Sequence, residues 1–376
     1  MFKQFSLKST LFILVSASLF ITSCKKDDDP IENHTAKGPY HDGVFISNEG
    51  SFMGNNGSVS FYSYVDDEDF GMVADSVYND IFQKENNRGL GDVVQSVSLY
   101  DSLAFIVVNN SNKVEVVTSE NFKEFSVISG VSQPRYVVAE GTTAYVSAWG
   151  DGGVVYVVDL NDFSVSSTIK VGSGPEKMLI DGDKLYVANS GGFGMDSTIT
   201  IIDMNTNLKA DSLVVGGNPQ SIVKDKDGNK WILCSGTVQY SEDWTSIIRQ
   251  TPSQLVKLNN NDEIVKTVII AETDHPAAFD INPEGDKLYF GGGYTYSTIK
   301  SYSLKENEPT INEIISDMPY GFMVEKTTGE LFVFMATSFT DNGQLKRYTS
   351  TGTLLKTYTV GIGPNGGASN KSAVVK

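Results

Sequence analysis

A proline-led repeat limits what this chain of 376 residues can fold into. Each repeat starts with a proline and a short apolar segment, followed by a tight turn and a second segment that begins with an aromatic residue. The prolines are Pro134, Pro175, Pro219, Pro276, Pro319 and Pro364, at intervals of 41, 44, 57, 43 and 45 residues. A period of about 40 to 50 residues with four short strands per unit is typical of the blades of a β-propeller.

The unit that begins at Pro175 shows the template most clearly. Its predicted strands are Lys177–Ile180, Lys184–Ala188, Thr198–Met204 and a fourth near Leu213–Val215. Between the first two lies Asp181-Gly182-Asp183, whose residue types favour a tight turn. The acidic segment Asp225–Asn229 occupies the same turn in the next unit, so turn chemistry explains it better than a calcium loop does.

Seven units follow one another, and the chain supplies a strand that closes them into a ring. Their bounds are 43–89, 90–132, 133–173, 174–217, 218–274, 275–317 and 318–363. The first unit lacks a first strand, whereas Gly363-Pro364-Asn365 restarts the pattern near the C-terminus. We therefore predict an all-β, seven-bladed propeller closed by a C-terminal strand that pairs into the N-terminal blade, which leaves no innermost edge open.

The N-terminal residues resemble a bacterial lipoprotein signal. Lys3 and Lys8 precede an apolar segment, Leu11–Ile21, which is too short to span a bilayer. It ends in Ile21-Thr22-Ser23-Cys24, which resembles a lipobox and implies that Cys24 is lipidated. We expect a signal peptide at 1–23, a lipidated cysteine with a flexible acidic tether at 24–42, and the propeller at 43–376.

The residues after Cys24 suggest where the protein is delivered. Lys25-Lys26-Asp27-Asp28-Asp29 could be a solvated spacer. It also resembles the acidic export signal of Bacteroidetes lipoproteins, which implies an outer-membrane lipoprotein that faces the cell exterior. Because buried acyl chains supply the membrane affinity, the propeller then needs no membrane-binding surface of its own.

Charge and cysteine content exclude several classes of function. The formal net charge of -17 and the pI of about 4.6 argue against nucleic acid and against electrostatic docking to anionic lipid. With Cys24 assigned to lipidation, Cys234 is expected to be a buried thiol within a blade. No zinc spacing and no phosphate-binding loop is present, so we expect no metal and no cofactor.

No catalytic constellation is apparent, and we expect a protein that is not an enzyme. His275 is the one histidine within the predicted repeats, and no nucleophile elbow accompanies it. A lactonase-type or lyase-type propeller enzyme remains an alternative, since such sites can be assembled from scattered carboxylates. Glu49, Asp151 and Glu176 are its candidates.

One face of the predicted propeller concentrates aromatic and amide side chains. The loops after the second strands and the connections between blades emerge on that face. Rings offer flat contact area to a ligand, while amides and arginines fix its orientation. The candidate ligand-binding residues are Asn48, Phe52, Arg88, Asn109, Arg135, Trp149, Asn189, Phe193, Tyr240, Trp244, Tyr294, Tyr296, Tyr320 and Phe339. Individual rings could instead cap the blades.

From residue 43 onwards, the repeats resemble the YncE-like seven-bladed propeller family. The likeness rests on units such as Lys184–Asn189 followed by Thr200–Asp203. With the lipobox, the chain is similar to Bacteroidetes surface lipoproteins that work beside TonB-dependent transporters, and most of all to those that capture cobalamin. This resemblance implies capture of a corrinoid and its delivery to such a transporter. A siderophore or haem is an alternative ligand, and a protein-docking or adhesion module is an alternative function.

Overall fold

The computed structural model describes residues 38–243, 245–294, 297–307 and 309–371, which are almost entirely β-structure. Blade one has β1 (Asp42–Asn48), β2 (Ser58–Ser63) and β3 (Ser76–Tyr78), followed by helix α1 (Ile81–Asn86). Blade two has β4 (Val94–Tyr100), β5 (Leu103–Val108), β6 (Lys113–Thr118) and β7 (Glu124–Ile128). Blade three has β8 (Pro134–Glu140), β9 (Thr143–Ala148), a 3₁₀ turn (Gly150–Gly152), β10 (Val154–Asp159) and β11 (Ser164–Lys170). Blade four has β12 (Pro175–Asp181), β13 (Lys184–Asn189), β14 (Thr198–Asp203) and β15 (Leu208–Val214).

The remaining blades repeat the same plan. Blade five has β16 (Pro219–Lys224), β17 (Lys230–Cys234), the inserted hairpin β18 (Val238–Tyr240) and β19 (Ile247–Gln250), then β20 (Ser253–Leu258) and β21 (Ile264–Ala271). Blade six has β22 (Ala278–Ile281), β23 (Lys287–Gly292), β24 (Ser297–Ser303) and β25 (Ile311–Ile315). Blade seven has β26 (Gly321–Val324), β27 (Leu331–Met335), β28 (Asn342–Tyr348) and β29 (Leu354–Ile362), and the chain continues into β30 (Pro364–Lys371). Within the described ranges, no helix is long and apolar enough to cross a membrane.

The innermost strands form a closed ring. Each blade is a four-stranded antiparallel sheet, and the innermost strands in ring order are β4, β8, β12, β16, β22, β26 and β30. Each of them contacts the next, and β30 contacts both β26 and β4. The predicted seven-bladed propeller is therefore confirmed.

Both faces of each blade are buried, which explains the apolar runs in the second and third strands. Successive side chains of a strand point to opposite faces of its sheet. In β13, Leu185 and Val187 pack against blade three, whereas Tyr186 and Ala188 pack against blade five. Among the described residues, seven such hydrophobic clusters fill the seven junctions between neighbouring blades.

The aromatic residue that leads several second strands links its blade to the next. Its ring lies in the core, and its polar atom bonds to a turn on the lower face, the face of the short turns within blades. The Tyr145 hydroxyl donates to Asn207 Oδ1 at 2.8 Å, and the Tyr186 hydroxyl donates to Asp262 Oδ1 at 2.7 Å. Because each acceptor belongs to the following blade, these bonds fix the angle between neighbouring blades.

The C-terminal strand closes the ring as predicted. β30 pairs antiparallel with β1, with Asp42 opposite Lys371 and Asn48 near Pro364. Gly321 allows close approach of β26 to β30, because a Cβ atom there would lie 2.1 Å from the backbone oxygen of Asn365. β1 begins and β30 ends on the lower face, so the loops after the second strands emerge on the opposite, upper face.

A charged cluster on the outer strands also links blades one and seven. The Asp75 carboxylate accepts hydrogen bonds from the Tyr62 hydroxyl at 3.0 Å, Arg347 at 2.7 Å and Lys356 at 2.6 Å, and also from the Tyr358 hydroxyl. Partial burial opposes ionisation, but the bonds from Lys356, Tyr358 and Tyr62 lower the pKa of Asp75 to about 2. Ionised Asp75 therefore joins the first blade to the last.

We expect Asp75→Asn to lower the free energy of unfolding in urea by about 1 to 2 kcal/mol, a modest loss because the cluster is half exposed. Because the pKa of Asp75 is lower in the folded chain, its contribution to stability is complete above pH 3.8, its ordinary pKa. That contribution is lost as the pH falls through about 2. Asp69→Asn, in the same loop and exposed, is the control. Equal losses for the two variants would contradict a role for the cluster in closure.

Candidate functional site

Four of the innermost strands begin on the upper face with a shift in pairing register that leaves one or two residues outside the ladder. The pairing register shifts directly after Val94, Pro134, Pro175 and Pro219. A β-bulge leaves a residue outside the ladder and redirects its side chain. The residues at these positions include Gln95, Arg135 and Glu176, and they start the polar network described next.

An ion pair on blades three and four forms one half of this network. Arg135 bonds to both carboxylate oxygens of Glu176 at 3.2 Å, and its Nη2 lies 3.0 Å from Oε1. Its Nη1 donates to Gln95 Oε1, and its guanidinium carbon lies 4.2 Å from the centre of the Trp149 ring. The Arg135 charge is thus neutralised by a buried carboxylate, and its side chain is fixed on three sides.

A second buried carboxylate forms the other half. Glu49 follows β1, and its Oε1 accepts hydrogen bonds from the Tyr320 hydroxyl and from Asn365 Nδ2, both at 3.0 Å. Asn365 Nδ2 also lies 2.9 Å from the backbone oxygen of Gln95, which joins this half to the Arg135 half. The network therefore runs from blade seven through blades one, two and three to blade four, around the central axis.

We call this set of Glu49, Gln95, Arg135, Glu176, Tyr320 and Asn365 the channel mouth. Both carboxylates in it are buried, with Glu49 9% exposed and Glu176 5% exposed. Burial raises the pKa of Glu49, against which the bonds from Asn365 and Tyr320 and the Arg135 charge act. Burial likewise raises the pKa of Glu176, and Arg135 opposes that rise. Burial therefore opposes ionisation of both carboxylates of the channel mouth.

Two groups of aromatic rings flank the channel mouth. Phe193 stands edge-on to Trp149, with ring centres 5.2 Å apart. On the other side, Tyr320 packs against Tyr294 at 5.3 Å and against Phe339 at 5.5 Å. The structure thereby brings together five of the predicted aromatic residues with Arg135, and places them next to the two carboxylates.

Three predicted amides lie within or between blades rather than at the channel mouth. Asn48 and Asn189 are fully buried, and each donates to hydroxyl groups of the neighbouring third strand. Asn109 donates to the backbone oxygen of Pro134 at 2.9 Å, which joins blade two to blade three. We therefore leave these amides out of the candidate site.

Arg88 lies in the connection between α1 and β4, and its side chain packs against the outer strands of blade two. Its guanidinium pairs with Glu115 at 2.7 Å and with Glu124 at 2.6 Å, and it covers the Phe82 ring at 4.8 Å. The sequence placed Arg88 in a connection between blades, but helix α1 carries that connection away from the axis. Arg88 is therefore not part of the channel mouth.

Two other predicted residues, Phe52 and Tyr240, lie on the upper face away from the channel mouth. Phe52 follows β1, and Tyr240 belongs to the hairpin β18–β19; both are exposed. Trp244, Tyr296 and the lipobox cysteine Cys24 lie outside the described residues. Cys234 is buried in β17, as expected.

The predicted ligand-binding set omitted four residues of the channel mouth: Glu49, Gln95, Glu176 and Asn365. A signal for two of them exists in the repeat, because Glu176 and Asn365 directly follow restart prolines, as Arg135 does. Glu49 and Glu176 belong to the predicted upper-face loops and are candidates for the enzyme alternative, but they are not in the predicted ligand-binding set. Gln95 follows a valine at the proline position, so the repeat alone did not reveal it.

The three enzyme candidates do not converge. Glu49 and Glu176 belong to the channel mouth, whereas Asp151 is exposed and accepts a hydrogen bond from Tyr156 at 3.0 Å. Among the described residues, no group of three or more histidine, cysteine, aspartate or glutamate side chains is placed to hold a metal ion. A reaction at this site would have to rely on Glu49 and Glu176.

We expect Arg135→Met to lower the free energy of unfolding by about 3 to 5 kcal/mol, because it leaves the Glu176 charge buried without a partner. Adding Glu176→Gln should restore much of this stability, as measured by urea unfolding of both variants. Arg249→Met, on the exposed strand β19, is the control for loss of an arginine. An Arg135→Met loss no larger than that of the control would contradict the assigned pairing.

Comparison with known proteins provides a family and a fold. The model of a family described as a domain of unknown function, DUF5074, matches residues 42–362. No curated protein sequence matches the chain. Among solved structures, the chain is similar to a quinonprotein alcohol dehydrogenase-like protein from Bacteroides thetaiotaomicron, at 14% identity and a TM-score of 0.60, with 89% of this chain and 79% of that chain covered.

Two further structures have the same fold. A candidate 6-phosphogluconolactonase from Bacteroides fragilis is 13% identical with a TM-score of 0.59, covering 87% of this chain and 97% of that chain. The WD40 β-propeller domain of Doa1 is 11% identical with a TM-score of 0.50, covering 79% and 86%. Identities this low show the propeller fold alone, and the differing functions of these proteins leave the function of this chain to its own site.

Proposed function

This chain belongs to the DUF5074 family, and we propose that it is a cell-surface lipoprotein that binds a bulky ligand on its upper face and passes it to a TonB-dependent outer-membrane transporter. The family description names no function. The proposal therefore rests on the upper face itself, together with the lipobox and the acidic segment after Cys24. Lipidation, surface location and the transporter are parts of the proposal.

The observation that carries it is the exposure of large apolar side chains on the loops around a polar channel mouth. Phe193 is 96% exposed, Tyr294 is 78% exposed and Phe52 is 68% exposed. Exposed rings close to a polar site favour binding of a ligand or a partner. Because these three rings belong to blades four, six and one, a ligand must be bulky to touch more than one of them.

The ligand class follows from size and chemistry. A corrinoid remains the first ligand to test, since it offers a wide ring system with amide groups that suit both aromatic and carboxylate partners. Ferric siderophores and haem are the other candidates of suitable size. The resemblance to cobalamin-capturing lipoproteins supports this order of testing.

The position of the first strand indicates at which face of the propeller the tether would join. Because β1 begins on the lower face, a tether from a lipidated Cys24 would join the propeller there. A ligand held in loops near the axis would be accessible to a partner protein that docks on the same face.

We expect calorimetry of the purified chain to detect cobalamin, a ferric siderophore or haem with a Kd below micromolar. Phe193→Ala or Tyr294→Ala should weaken that binding about tenfold through lost ring contact. Phe70→Ala is the control, because this exposed ring lies in the loop between β2 and β3. Failure of all three ligands to bind, or an equal effect of the control, would overturn the proposed capture.

A second candidate function is hydrolysis, for which the channel mouth provides one specific observation. Glu49 and Glu176 are buried, and burial raises the pKa of both, which is a property of catalytic acids and bases. A lactonase should then hydrolyse simple lactones at a rate that Glu49→Gln lowers at least about 100-fold, as seen in a pH-stat assay. Absence of turnover in the unmodified chain would eliminate this candidate.

A further inference from the structure

Glu49 differs from Glu176 in having no cation against it. Arg135 pairs with Glu176, and no lysine or arginine nitrogen of the described residues lies within 4.0 Å of the Glu49 carboxylate. Glu49 Oε1 accepts its bonds from two neutral groups, Tyr320 and Asn365. Its Oε2 has no hydrogen-bond partner in the part of the chain that the structure describes. Oε2 is not one of the enclosed polar atoms that lack a partner among the described residues, so it is open to solvent and available to a ligand.

Aromatic rings surround this carboxylate on the upper face. Tyr320 donates its hydroxyl to Glu49 and packs its ring between Tyr294 and Phe339. The backbone of Gly363 brings Glu49 and Phe339 together, because a Cβ atom there would lie 3.3 Å from the Phe339 ring and 3.5 Å from Glu49 Cβ. Tyr294 is largely exposed, so this group of rings is accessible from solvent.

We propose that Glu49, Tyr294, Tyr320 and Phe339 form a binding site for an alkylammonium group of the ligand. The carboxylate supplies the opposite charge and a free acceptor oxygen. The faces of the three rings attract a cation. We call these four residues the ammonium site.

Other chemical groups satisfy the ammonium site less well. A carboxylate or phosphate on the ligand would be repelled by Glu49, and the Arg135 charge is already neutralised by Glu176. A hydroxyl group could donate to Oε2, but it would leave the carboxylate charge without compensation. An ammonium group provides both the hydrogen bond and the charge.

This inference rests on the proposed function in placing the ligand on the upper face. If it holds, a siderophore that carries a free amine becomes a better candidate than cobalamin or haem, which have none. Small probes test it separately. If benzylammonium binds while none of the three bulky ligands does, the ammonium site stands and the capture of those ligands falls. If the bulky ligands bind while benzylammonium does not, the ammonium site falls alone.

The experiment compares three probes of similar size: benzylammonium, benzyl alcohol and benzoate. Each is titrated into the purified full-length chain, and binding is measured by ligand-observed NMR and calorimetry. Benzylammonium should bind at least about tenfold more tightly than benzyl alcohol, as a charge-assisted hydrogen bond predicts. Benzoate should not bind.

Three variants locate the effect. Glu49→Gln keeps an acceptor for Tyr320 and Asn365 but removes the charge, and it should weaken benzylammonium binding about tenfold or more. Glu242→Gln removes an equal charge from the exposed β18–β19 hairpin on the same face and should leave binding unchanged. Tyr294→Leu, at an exposed position where folding is preserved, should weaken benzylammonium binding about threefold or more, because a ring that attracts the cation is lost.

The pH dependence provides an independent readout. The titratable groups that act on Glu49 are Arg135, Tyr320, Tyr294 and Tyr136. All four are already protonated at neutral pH, so acidification leaves their charges unchanged. Acidification should therefore weaken benzylammonium binding by protonating Glu49, and Glu49→Gln should remove that dependence. The ammonium site would be overturned if benzyl alcohol or benzoate bound more tightly than benzylammonium. It would also be overturned if Glu49→Gln left the affinity for benzylammonium unaltered.

Discussion

The antiparallel pairing of β1 with β30 is the interaction on which the remaining structure depends. It converts a row of seven sheets, each of which can bury both faces only between two neighbours, into a ring in which every blade has two neighbours. The same pairing assembles the channel mouth. Glu49 follows β1, Asn365 begins β30, and their hydrogen bond lies at the upper end of the paired strands. Closure of the fold and formation of the candidate site are therefore one event.

The two faces of the ring use polar groups differently. On the lower face, tyrosines such as Tyr145 and Tyr186 direct their hydroxyls to turns of the next blade, so that polar atoms fix blade angles. On the upper face, register shifts at the starts of the inner strands free side chains from the ladder and direct them to one another. Scaffold and candidate site are thus built from the same repeat at opposite ends of the same strands.

The fold could be predicted from the sequence because each propeller blade has the same local sequence pattern: a proline, a turn and an aromatic residue at regular spacing. The candidate site could be predicted only in part. Arg135, Trp149 and Tyr320 could be predicted because their loops lie at the central axis. Arg88 could not be excluded in advance, because helix α1 moves it away from the axis, where it pairs with Glu115. Asn48 and Asn189 are buried within their blades rather than exposed on the upper face. Which polar side chain meets which depends on contacts between distant blades, such as Tyr320 with Glu49, and a single sequence carries no record of such pairings.

The neighbouring positions of the first and last strands have a consequence for engineering. Asp42 and Lys371 lie opposite each other at the lower end of the ring, so a short linker could join them and new termini could be opened elsewhere. The hairpin β18–β19, an insertion that the other blades lack, is the natural place to open the chain. Such a circular permutant would carry its termini on the upper face, and a reporter domain fused there would sense occupancy of the rings around the axis.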